Sequence, residues 1–183
     1  MSVLKKGMLW GLALSLAGCL SLGAVYGAGS WSWALSSAVT CGTIACHLLL
    51  RFLAPALLAF LGQSRPDPGG WWFRPRPWEA ALYRALKVKR WNRKGLTYSS
   101  ETFDLRRHPL EDLLSSMCHA ELVHQLGGGL GFATLLLAIP FGDFPLFLFT
   151  ALLAAAFDGY FVIIQRYNRP RMEAVLRRKS QRK

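Results

Sequence analysis

The chain has 183 residues, of which 52% are hydrophobic, and carries a formal net charge of +12. That length suits one domain. Apolar and basic residues do not alternate at helical or strand period but fall in separate blocks, which excludes an ordinary soluble domain and fits a membrane protein with charged loops. Basic charge interleaved with tryptophan also occurs in nucleic-acid binders, but membrane spans flanked by headgroup-facing charge account for the same residues, so no nucleic-acid partner is expected.

The first apolar run, Met8 to Gly27, is twenty residues long, enough to cross a bilayer. Lys5 and Lys6 before it, and Ala24, Gly27, Ala28 and Gly29 near its end, give it the look of a signal sequence. Its length favours an uncleaved anchor. A turn from Ala28 to Trp33 carries Trp31 and Trp33, residues suited to the membrane interface. The second span is expected over Ala34 to Leu61. His47 and Arg51 share one of its faces, Pro55 is expected to bend or break it, and Arg51 to snorkel to the headgroups.

Residues 62–117 change character. A linker, SRPDPGG, leads into WWFRPRPWEAALYRALKVKRWNRKG. Trp78 to Val88 is expected to form a short amphipathic helix in the cytosolic interface, with its arginines and lysines toward phosphates. A helix beginning near Leu110 then enters the third span, Cys118 to Ile139. Gly127, Gly128, Gly129 and Gly131 permit close helix approach there. They are no phosphate loop, since no strand precedes them and no Gly-Lys-Ser/Thr follows. PFGDFP, Pro140 to Pro145, is a tight turn, and the fourth span runs from Leu146 to about Ile164 before a basic tail, 165–183. The expected fold is all-α: a single polytopic membrane domain of about four transmembrane helices with a cytosolic interfacial segment.

Basic residues give the orientation. Two precede the first span, eleven lie between the second and third, eight lie from Arg166 onward, and neither short turn has any. The positive-inside rule places both termini and the long loop in the cytosol, in a multi-pass protein of the plasma membrane. Cys19, Cys41, Cys46 and Cys118 form no CxxC pair and read as small apolar residues rather than as disulfides or metal ligands.

Four polar motifs stand out: VKRWNRK (Val88 to Lys94), FDLRRHPL (Phe103 to Leu110), HAELVHQ (His119 to Gln125) and IIQRYNRPRM (Ile163 to Met172). In this order and spacing, from about Trp71 to Arg178, the chain resembles the glycosyl-4,4'-diaponeurosporenoate acyltransferase family of carotenoid biosynthesis. The run Gln165-Arg166-Tyr167-Asn168-Arg169-Pro170-Arg171 is the most specific element, and Ala120 to His124 is a second. The resemblance implies transfer of a fatty acyl group to a sugar hydroxyl of a glycosylated carotenoid, giving a pigment of the staphyloxanthin type. This chain departs from the pattern in having His119 where the family often has Arg, in one extra residue between Asp104 and His108, and in its first span and tryptophan turn. The matched motifs make Gln165, Trp91 and His108 candidate substrate contacts.

Acyl transfer to a hydroxyl needs a base, an oxyanion donor and a hold on the acyl donor. Glu121 and His124, three apart, can face the same way on a helix; His124 is the candidate base, with Glu121 orienting its ring. An ionisable pair at a membrane entry is costly and points to function. Its structural alternative is a pair that satisfies helix ends or meets Arg166. Glu-x-x-His also occurs in di-iron bundles, but the further carboxylates are lacking: Asp143 lies in the opposite turn, and Asp158, two turns before Arg166, is expected near Glu121. No metal and no resident cofactor are expected. Arg166, Arg169 and Arg171 suit a helix C-terminus and anionic headgroups, and guanidinium groups also suit the phosphates of an acyl-CoA or other anionic acyl donor. Asn168 could orient a carbonyl or sugar hydroxyl. The expected partners are membrane lipid, the acyl donor and a glycosylated lipid acceptor. Two further readings stay open: a non-catalytic membrane subunit or lipid-binding scaffold, and an acyltransferase acting on a glycerolipid.

Overall fold

The computed structural model describes residues 3–92 and 109–181, with side chains over 5–90, 109–179 and Gln181. The described residues contain helices and turns and no strand. Helix α1 spans Val3–Gly29, α2 Ser32–Phe60, α3 Glu79–Ala85, α4 Val88–Asn92, α5 Leu110–Gly131, α6 Ala138–Phe141 and α7 Phe144–Ser180. Single 3₁₀ segments cover Trp71–Phe73 and Phe132–Leu137. Four helical stretches, Lys5–Gly29, Ser32–Phe60, Leu110–Phe141 and Phe144–Lys179, are long and apolar enough to cross a membrane.

They form two helical hairpins. In the first, α1 lies antiparallel to α2 through small residues. A Cβ on Gly18 would stand 3.0 Å from Cys41 Sγ, and one on Gly42 would stand 3.2 Å from Cys19 Sγ. Each thiol thus occupies the hollow left by a glycine on the other helix, a packing that needs no hydrophobic drive beyond close contact. All four cysteines are free. Ser30 takes a positive φ in the turn, and Trp31 and Trp33 stack there with ring centroids 6.1 Å apart.

The second hairpin pairs α5 with α7, and α2 lies along α5. Gly127 and Gly128 let α5 close on α7, because a Cβ at Gly128 would already touch Asp158 Cβ at 3.4 Å and Ala155 Cα at 3.7 Å. Gly131 faces the His47 ring on α2 in the same way, at 3.5 Å from Nδ1. Past this glycine run the helix tightens to 3₁₀ geometry, where Thr134 Oγ1 donates to Gly131 O at 2.8 Å and competes with the regular ladder. The reversal into α7 uses Gly142 and Asp143, both at positive φ.

Three expectations need correction. Pro55 neither breaks nor ends α2, which runs on to Phe60. The basic stretch after Ile164 is helical rather than a tail, since α7 continues through Pro170 to Ser180. Its 37 residues extend about 55 Å at 1.5 Å per residue, far more than the hydrocarbon thickness, so its basic end emerges from the apolar zone. The helix expected over Trp78 to Val88 is two short helices, broken where Lys87 takes a φ of 52°. Its burial also departs from an amphipathic pattern: Glu79 is buried along with Val88, while Trp78 and Leu86 are exposed.

The linker is stitched to α5. Ser115 Oγ donates to Pro66 O at 3.1 Å, and the His119 ring meets Gln63 O at 2.9 Å. Because the α1–α2 contact rests on missing Cβ atoms, Gly18→Leu should lower the thermal unfolding midpoint in detergent, with a cost of about 1–3 kcal/mol for overpacking. Gly23→Leu, where a Cβ meets nothing within 4 Å, should leave the midpoint nearly unchanged.

Candidate active site

The seam between α5 and α7 carries two buried carboxylates, Glu121 on α5 and Asp158 on α7. The outer one is Glu121, fully buried. Its Oε1 accepts from Arg166 Nη1 at 2.5 Å and from Gln125 Nε2 at 3.1 Å, and its Oε2 accepts from Arg169 Nη1. Arg166 and Arg169 lie three apart on α7 and therefore present one face to α5.

Both guanidiniums reach past α5 to the segment between the hairpins. Arg166 Nε and Nη2 donate to Glu79 Oε1 at 2.9 and 2.6 Å, Nη2 also to Arg74 O at 3.1 Å, and Nη1 also to Trp72 O at 3.3 Å. With the bond to Glu121, each of the five N–H groups a guanidinium offers is engaged. Arg169 Nη2 donates to Phe73 O, its guanidinium lies 5.1 Å from the Phe73 ring centroid, and its buried Nε has no hydrogen-bond partner. Tyr83 OH donates to Glu79 Oε2 at 2.8 Å. Burial, reinforced by the Glu79 carboxylate, pushes the Tyr83 pKa up, so the hydroxyl stays a neutral donor. Trp72 Nε1 donates to Gln125 Oε1 at 2.9 Å. Two carboxylates and two guanidiniums thus form a neutral network that straps Trp71–Ala85 to α5 and α7.

The inner carboxylate is Asp158, on α7. Its Oδ1 lies 2.9 Å from His124 Nδ1 and accepts from Arg51 Nη1 at 2.6 Å. The His124 ring stacks flat on Phe161, with centroids 4.5 Å apart and planes 10° apart. Arg51 Nη2 donates to Ala154 O at 3.3 Å, and the guanidinium sits 4.7 Å from the Phe157 ring centroid. A carboxylate aligned in depth with a histidine and an arginine explains why each can lie in an apolar region: every charge has a partner. The His124 side chain stays 20% exposed, beside 15% for Arg51 and 4% for Asp158, so a second molecule can reach the imidazole while the carboxylate is closed off.

This geometry revises the expected roles. Glu121 does not orient His124; it holds Arg166 and Arg169, and Asp158 takes the ring. The same divergence separates the two residues as a potential Glu-x-x-His ligand pair. Asp158 does meet the Glu121 region, at His124 and not at Glu121 itself. Arg51 does not snorkel outward, because Asp158 and the Phe157 face offer it a partner at its own depth. Arg166 and Arg169, expected to meet an anionic donor, are committed inside the protein. Arg171 is exposed and lies 3.5 Å from the Tyr167 ring centroid, while Gln165 and Asn168 are half-buried on α7. His108 and the Trp91 side chain lie outside the described residues. Sequence reasoning missed Glu79 altogether. Its signal was a lone carboxylate in a segment that is otherwise basic and aromatic from Arg74 to Lys94.

The model of one protein family, described as glycosyl-4,4'-diaponeurosporenoate acyltransferase, matches residues 69–178. The chain belongs to this family. It is therefore a member of a family of acyltransferases of carotenoid biosynthesis. No curated protein and no solved structure matches the chain. The family segment contains both carboxylate centres except for Arg51, and it contains the whole strap with its partners.

Removing the Glu121 charge should be far more damaging than removing that of Glu79. Glu121→Gln leaves Arg169 buried without a carboxylate, and such broken pairs cost about 3–5 kcal/mol. In Glu79→Gln, Arg166 keeps Glu121, and the loss should be smaller. Thermal unfolding of the two variants in detergent measures the difference.

Proposed function

We propose that the protein esterifies a sugar hydroxyl of a glycosylated carotenoid, or of a related glycolipid, with a fatty acyl group drawn from an acyl-CoA or another activated acyl donor. The observation that carries the reading is the 2.9 Å contact between His124 Nδ1 and the buried Asp158 carboxylate, on a seam where the imidazole is still reachable. With Nδ1 committed to Asp158, Nε2 is the nitrogen left to handle a substrate proton.

The chemistry follows from that tautomer. The acceptor hydroxyl oxygen attacks the acyl carbonyl carbon while its proton passes to His124 Nε2. Asp158 stabilises the imidazolium so formed, as a carboxylate does for a catalytic histidine generally. When the tetrahedral oxyanion collapses, the C–S bond of a thioester donor breaks, and the departing thiolate takes the proton back from Nε2. The products are an ester and a free thiol, and His124 is again neutral.

Glu121, with Arg166 and Arg169, keeps α5, α7 and the strap in register around this centre. Arg171, exposed at the emerging end of α7, is the guanidinium suited to an anionic donor group, with Gln165 and Asn168 beside it on the helix. Trp91 and His108 are proposed as further substrate contacts on the family motifs alone. Basic charge supports a plasma-membrane protein with both termini and the strap on the cytosolic side, where a soluble acyl donor would arrive. The exposed Trp71, Trp72 and Trp78 suit the headgroup zone next to them.

Cells that make the glycosylated carotenoid should lose one acylated lipid species when the gene is removed and regain it with the wild-type chain. In purified protein, His124→Ala should cut the transfer rate by about 10²–10⁴-fold, the worth of a positioned base, while still inserting and accumulating. Near-normal turnover by that variant would reject the mechanism. Topology has its own check: Ser30→Cys should label from outside the cell and Ser64→Cys should not.

A further inference from the structure

Arg51 lies on α2, outside the segment that matches the family, residues 69–178. Yet its guanidinium reaches across to α7 at the depth of Asp158. That position is eight residues inward of Arg166, or about 12 Å along the helix. An arginine so placed is costly unless its contacts repay it.

Three contacts hold the guanidinium. Arg51 Nη1 meets Asp158 Oδ1 at 2.6 Å, Nη2 meets Ala154 O one turn earlier at 3.3 Å, and the guanidinium lies over the Phe157 ring at 4.7 Å. A carboxylate, a carbonyl and an aromatic face on one stretch of α7 therefore fix the plane and the position of the fork. The oxygen that Arg51 grips is the same one that His124 Nδ1 meets. On the other side, Gly127 brings the α5 backbone so near that a Cβ there would lie 3.7 Å from Asp158 Oδ2. The Asp158 carboxylate is thus bracketed by α2 and α5, and the imidazole is bracketed by that carboxylate and the Phe161 ring.

We infer that Arg51 is a positioning residue of the acyl-transfer site: from α2 it fixes the Asp158 oxygen that orients His124, so the N-terminal hairpin is part of the catalytic unit. The inference rests on His124 acting as the base. The alternative is that Arg51 only neutralises Asp158 and holds α2 to α7. The two differ in what they ask of the side chain. Neutralisation needs a positive charge, or no charge on either partner. Positioning needs the planar fork, because one rigid guanidinium holds the carboxylate, the Ala154 carbonyl and the Phe157 face together in a fixed plane, whereas an ammonium is a compact point charge with rotating donors.

The test uses the full-length protein reconstituted in liposomes, with glycosyl-4,4'-diaponeurosporenoate as acceptor and palmitoyl-CoA as donor. Arg51→Lys keeps the charge and loses the fork. The double variant Arg51→Gln/Asp158→Asn has no unpaired charge to destabilise it, and its Asn can still accept from His124 Nδ1. Both should insert and accumulate, with KM within about threefold of wild type, and kcat should fall about tenfold or more in Arg51→Lys and about a hundredfold in the double variant, the pattern of a loss felt at the reacting centre rather than in binding. Wild-type kcat in either variant would overturn the inference and leave Arg51 as a helix tie. His124→Ala, assayed beside them, separates the two levels. If it turns over normally, the base reading falls and this inference falls with it. If it is inactive while Arg51→Lys is fully active, the inference alone falls; full activity of the double variant would also remove Asp158 from the mechanism.

Discussion

A carboxylate in the apolar thickness of a membrane has to be ionised and paired or else give up its charge, and Asp158 is the residue around which this protein meets that demand. Its pairing brings together three helices that the chain separates widely: Arg51 from α2, His124 from α5 and Asp158 itself on α7. The glycines of α5 permit the approach, and the aromatic rings of Phe157 and Phe161 take up the remaining faces of the guanidinium and the imidazole. Desolvation is costly for each of these groups alone. Together they form a rigid polar cluster in a setting where electrostatic contacts are strong.

The second carboxylate centre does different work with similar parts. Glu121 is enclosed completely, and its arginines are engaged by carboxylates and backbone carbonyls of the strap. Nothing about it is poised to meet a substrate. It secures the polar segment to the mouth of the α5–α7 hairpin, leaving the tryptophans of that segment on its outer surface. The family motifs therefore divide by physical role. The arginines of the α7 exit close a framework, and the histidine of α5, one turn further in, belongs to the Asp158 cluster.

Much of this was legible in the sequence. Block separation of apolar and basic residues reveals spans and loops because the bilayer imposes it, and the motifs at His119–Gln125 and Gln165–Arg171 are specific enough to indicate the family. What the sequence could not convey is which charge meets which. Spacing on α5 makes Glu121 and His124 look like partners, since helical period is the only geometry a sequence carries. Their true partners come from α7, and the register between helices decides the matter: Arg166 and Arg169 meet Glu121, and Asp158 meets His124. Arg51 was misread for the same reason, because snorkelling is the only outlet visible when the facing helix is unknown. The inward turn of Glu79 runs against the amphipathic pattern of its own helix, and Arg166 of α7 explains it.

In the proposed mechanism a histidine held by Asp158 moves the proton of the acceptor hydroxyl. Chemical rescue tests it most directly. Purified His124→Gly in liposomes should be nearly inactive with the acyl donor and the glycosylated acceptor, and added imidazole should restore transfer in a saturable manner by occupying the emptied place beside Asp158. Transfer at the wild-type rate by His124→Gly without imidazole would contradict the account.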